Sequence, residues 1–138
     1  MLARATQRLR GNHDGQSLIE LALSIPILCL LLLGTIDLGR MYFDYIDLKA
    51  GARNGAGYGT LKPDDTAGME NRVLNSGVPV GTTATATCTG SCSTVDATGT
   101  VVVTASSDFR PITLGFFSFL GSSGVVTLSA TAQMRVLS

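Results

Sequence analysis

The sequence predicts an α+β fold in which one long N-terminal helix lies against a small antiparallel sheet, and three observations carry that expectation. Residues 21–36, LALSIPILCLLLLGTI, form an uncharged apolar run. A loose helical periodicity prolongs that run to about residue 61, and residues 125–136 alternate apolar and polar side chains. At 138 residues the chain has room for one domain with an appendage. Charged residues make up only 14% of it, against about a quarter in ordinary soluble proteins, so apolar sequence is concentrated. Ten Lys plus Arg balance ten Asp plus Glu, which argues against nucleic acid as a partner, because phosphate binding calls for a basic surface. One His and three Cys leave little material for a metal site or a Cys/His nucleophile; the expectation is a structural protein, not an enzyme, with no cofactor.

With Leu18, Ile19 and Leu38 the apolar stretch is long enough, at about 1.5 Å rise per residue, to cross the roughly 30 Å of hydrocarbon in a bilayer. Arg4, Arg8 and Arg10 precede it and the first charge after it is Asp37, so the positive-inside rule puts the N-terminus in the cytoplasm and the chain beyond about residue 38 outside. A cleaved secretory signal is the alternative; the run is long for one, and no small-x-small site stands before Asp37. Glu20 sits at the edge of the span, where a carboxylate is either functional or a solvated marker of the cytoplasmic end. Pro26, inside the span, removes the hydrogen bond to the Ala22 carbonyl and predicts a kink or local unwinding.

Residues 39–61 read as a helical stalk. Ile36, Met41, Tyr45, Leu48, Ala52 and Ala56 recur on one face, with Asp37, Arg40, Asp44, Asp47 and Lys49 between them. Gly51, Gly55 and Gly59 repeat every fourth residue. Each costs a helix up to about 1 kcal/mol relative to Ala, so the ladder implies close backbone approach by another helix or a sheet; the alternative is a fraying glycine-rich linker.

Residues 62–138 form the expected outer α+β head. Pro63-Asp64-Asp65-Thr66 opens a short helix that ends before Gly77. Residues 82–88, 99–106 and 125–136 are the expected strands of an antiparallel meander, with Val126, Leu128, Ala130, Ala132, Met134 and Val136 facing a core covered by the outer half of the long helix. Cys88 and Cys92 flank Thr-Gly-Ser, a spacing that is neither the redox C-x-x-C nor half of a zinc ribbon. They are either a local disulfide across a hairpin turn or two free thiols. Phe116, Phe117, Phe119 and Leu120, in an unusually apolar connection, belong either to the core or to an exposed patch.

Gly15-Gln16, Glu20, Ala22-Leu23, Pro26, the leucine run, Gly34, Asp37 and Gly39-Arg40, in this order and behind a basic leader, resemble the opening of TadE-like pseudopilins of the type IV pilin superfamily. The stretches VVVTASSDFRPITLG and VVTLSATAQMRV are similar to that family's closing strands. Leu21 stands where many Tad pilins carry an aromatic residue.

The resemblance implies a pilin-like fold and a subunit of a Tad (Flp-type) pilus or related filament that supports pilus biogenesis, adhesion and biofilm formation. It implies cleavage of the leader, residues 1–15, by a prepilin peptidase between Gly15 and Gln16, and assembly through residues 16–38. Glu20 would pair with the new α-amino group of a neighbour, and Pro26 would mark where the helix melts on assembly. The implied partners are the membrane, other pilin-like subunits and the Tad assembly machinery; the implied location is the bacterial cytoplasmic membrane or an extracellular filament. The contrasting reading is a monomeric single-span protein whose outer domain binds a surface partner.

Overall fold

A computed structural model describes residues 13–92, 99–113 and 124–136. Helix α1 runs His13–Leu61, α2 runs Thr66–Leu74, and the strands are β1 (Thr83–Thr89), β2 (Thr100–Phe109) and β3 (Val126–Arg135). The fold is α+β: the long helix packs on a three-stranded antiparallel sheet of order β1-β2-β3. The segment with Phe116, Phe117, Phe119 and Leu120 lies outside the described residues.

The sheet is two-faced because its strands alternate. Ala86, Val103 and Ala132 stand in register across the three strands on the core side, as do Cys88, Val101 and Met134. The other side is hydroxyl-rich, with Thr85, Thr104 and Thr131 in line and a Thr104–Thr131 hydroxyl contact of 3.0 Å. Burial of the alternate residues supplies most of the driving force. Leu48, Ala52, Ala56, Met69, Val73, Val101 and Val103 are fully buried in one cluster. Val126 departs from the expected alternation by being 38% exposed; it pairs with Phe109 at the end of the sheet farthest from the helix's C-terminus.

Helix α2 is set by its ends. Asp65 caps it, its Oδ1 accepting the Gly68 amide at 2.8 Å, and Gly77 follows it at φ +79°, a conformation in which a Cβ is strained. The helix presents Met69 and Val73 to the core. On its flank Glu70 accepts the Ala86 amide at 3.2 Å, so one donor on the outer edge of β1 is covered.

Strand β2 runs antiparallel to α1, because its Val101 packs at Gly59, its Val103 at Gly55, and its last residue, Phe109, lies under the Arg40 guanidinium at 5.4 Å. The lengths agree: from residue 101 to 109 a strand rises about 26 Å, and from 59 to 40 a helix rises about 28 Å. The head therefore occupies the whole upper half of α1, down to the end of the apolar run.

Candidate functional site: the two halves of the long helix

The lower half of α1 holds the residues singled out for processing and assembly. Gln16 and Glu20 are exposed on its first turns, and a Cβ at Gly15 would meet nothing within 4 Å. Leu18, Leu23 and Leu31 are each about two-thirds exposed, at 66%, 68% and 65%. This is the one described helix long and apolar enough to cross a membrane, and none of its apolar window is buried within the chain. Pro26 does not interrupt it. The helix is continuous through that position, and Pro26, Cys29, Leu30 and Leu33 line a shallow apolar hollow of about 100 Å³.

In the upper half the small residues lie against the head. A Cβ at Gly51 would stand 2.6 Å from Val78 Cγ1, at Gly55 2.7 Å from Val73 Cγ2 and 2.9 Å from the Met69 carbonyl oxygen, and at Gly59 2.8 Å from Met69 Sδ and Val101 Cγ1. Such distances leave no room for a side chain, so the ladder admits both α2 and β2 to backbone range. The surface it fits is the chain's own head. Of the recurring apolar residues, Leu48, Ala52 and Ala56 are buried as a packed face that also takes in Asp37, whereas Ile36 and Tyr45 are 46% and 39% exposed.

Asp37 is the residue that helical periodicity placed among the solvent charges and that the structure buries. Its Oδ1 accepts the Ile112 amide at 2.9 Å, its Oδ2 accepts the Thr113 amide at 2.8 Å and the Thr113 hydroxyl at 2.7 Å, and Arg40 lies 3.7 Å away. The carboxylate thereby satisfies two backbone donors just past the end of β2 and ties that connection to the helix.

Further up, Tyr58 joins α1 to the cap of α2. Its hydroxyl donates to Asp65 Oδ2 at 2.8 Å, while Lys62 and Arg72 approach its ring at 5.8 and 5.3 Å. The Tyr58 hydroxyl foremost, then the Gly68 amide and the Lys62 charge, hold the Asp65 carboxyl below the usual carboxylate range against a smaller opposing effect of desolvation. A disulfide joins Cys88 to Cys92, with Cα atoms 6.1 Å apart, at the end of the sheet remote from the apolar run. Glu20 and the glycine ladder do not meet: from residue 20 to 51 the helix rises about 46 Å.

A family profile described as TadE-like protein matches residues 15–57, which takes in Gly15, Glu20, Pro26, Asp37 and the first two glycines of the ladder. This segment is TadE-like. Comparison with curated proteins and with solved structures gave no match. The TadE-like segment stops within α1, so the strands that resemble the family's closing strands lie outside it. It associates the chain with the Tad pilus machinery and, through its apolar helix, with a membrane.

Proposed function

We propose that this chain is a pilin-like structural subunit of a Tad-type pilus, inserted with its N-terminus in the cytoplasm and its head outside, and without catalytic activity. The observation that carries the reading is that, among the described residues, the lower half of the TadE-like helix exposes its long apolar side chains, Leu18, Leu23 and Leu31 being each about two-thirds open. Lipid covers them before assembly. In a filament, where lipid is absent, helices of other pilin-like subunits replace it, and the loss of exposed apolar surface drives the exchange. Adhesion and biofilm formation follow from the pilus.

In such a bundle Glu20 leaves water and requires a cation. Cleavage by a prepilin peptidase between Gly15 and Gln16 supplies one, the α-amino group of an adjacent subunit. Removing one member of a buried pair costs about 3–5 kcal/mol, enough to stop incorporation. Two measurements on cells carrying the Tad machinery test this. The mature chain should lack residues 1–15 by mass, and Glu20→Ala should insert in the membrane yet be absent from sheared pili. Normal incorporation of Glu20→Ala would reject the pairing at Glu20, and an intact N-terminus together with absence of the unsubstituted chain from sheared pili would leave a single-span protein with an outer binding domain.

A further inference from the structure

We propose that the base of the head is a lipid-contact surface, in which Ile112, Val125 and Val126 rest in the headgroup layer beside the span and the groove behind them takes an acyl chain of the same bilayer. The inference rests on the reading that the lower half of α1 spans a membrane.

Three observations converge. Asp37 follows the last uncharged residue of the span, and its bonds to Ile112 and Thr113 hold the chain after β2 at that same level. The interfacial layer is about 5–7 Å deep on each side of the hydrocarbon, so residues held there cannot clear it. Second, among the described residues this end of the head exposes Ile112, Val125 and Val126, all at least one-third open, with Arg110 exposed and Arg40 beside them, while the Asp108 carboxylate accepts the Thr127 hydroxyl at 2.9 Å. Apolar side chains flanked by arginines that reach toward phosphates suit an interfacial surface.

Third, a groove of about 430 Å³ separates the head from the helix. Leu30, Gly34, Leu38 and Met41 line one wall, Phe109 and Pro111 the other. Leu30 lies about 10 Å below Asp37 along the helix axis, at the depth of acyl chains. The lining offers water few partners there, and a hydrocarbon chain loses nothing by entering. Leu30, Leu31 and Gly34 in its lining belong to the apolar span itself, and the upper end is closed by Asp37 and Thr113, so the occupant that fits the lower part is lipid.

The test uses the full-length protein with Cys29→Ser, reconstituted in phosphatidylethanolamine–phosphatidylglycerol vesicles and labelled with an environment-sensitive fluorophore at one introduced cysteine: Leu28→Cys, Ile112→Cys or Val80→Cys. The Cys88–Cys92 disulfide stays oxidised. Leu28 reports the span, and Val80, fully exposed on the head, reports water. The expected result is quenching at 28 by deep nitroxide lipids, quenching at 112 by shallow nitroxide lipids, and several-fold weaker iodide quenching at 112 than at 80. Iodide reaching 112 as readily as 80 overturns the proposal while leaving the span intact. A label at 112 shielded from both lipid and iodide also overturns it, since protein then covers the surface. Failure of lipid quenching at 28 removes the span reading and this one with it.

Discussion

Below residue 37, α1 carries leucines and isoleucines into the open; above it, the same helix buries glycines and alanines. Both halves are poor in charge on the relevant face, so hydrophobicity alone does not separate them. Distance does. A sheet and a short helix that approach α1 to backbone range need the small residues at 51, 52, 55, 56 and 59, whereas lipid or a sister helix can accommodate the long side chains at 18, 23 and 31. In this chain the small residues from 51 to 59 mark where the head comes closest to α1, with Leu48 the large residue buried beside them, and the long exposed side chains mark what is left for the surroundings.

The sharpest way to break that division is to exchange the two kinds of residue. Gly55→Leu drives a side chain into Val73, Val103 and the Met69 carbonyl, and the expected loss is about 3 kcal/mol, the upper end for overpacking. The matching change below, Gly34→Ala, meets nothing within 4 Å and should leave the head unchanged while favouring the helix by up to about 1 kcal/mol. Urea denaturation in micelles, followed at a probe on the head, reads both. Next in size, Val103→Ala should cost about 2 kcal/mol by lost burial and a residual cavity. Leu23→Ala should cost the head nothing in the same assay and weaken only membrane partitioning.

Asp37→Ala tests the joint between the halves. It leaves the Ile112 and Thr113 amides without their acceptor, and hydrogen exchange at those two amides should accelerate while the amides of Val101 and Val103 keep their protection. A smaller effect belongs to Asp65. Because its folded carboxyl titrates below its unfolded value of 3.8, it contributes stability that is complete above that value and is lost as pH falls through the lower, folded one. The acid limb of a stability–pH curve should therefore flatten in Asp65→Asn, with no change in slope near neutrality. Peptide mapping without reductant, the mildest test, should find neither Cys88 nor Cys92 open to alkylation until the bridge is reduced.

Much of this arrangement could be read in advance, for stated reasons. The alternation in residues 125–136 places Ala130 and Ala132 inward, and the acidic pair before Thr66 contains the α2 cap, because period and capping chemistry are local. Asp37 could not be found that way. Its partners are some 75 residues away in sequence, and nothing in the neighbourhood of a charge reveals a distant pair of amides that require it. Ile36 and Tyr45 stay exposed within the recurring apolar series for a related reason: hydrophobicity picks out large residues, while close approach favours small ones. The glycine spacing was visible, but whether its partner was a second chain or the chain's own α2 and β2 depended on tertiary structure.

The most direct test of the account is crosslinking in living cells from single photoreactive residues at Leu23 and Leu31, on the open half of α1, with Val73 of the head core as the internal reference. Leu23 and Leu31 should trap a second pilin-like chain when the Tad machinery is active, and Val73 should yield only intramolecular products. If neither lower position ever captures another pilin-like chain under those conditions, the exposed helix is an anchor and the proposal of a filament subunit is contradicted.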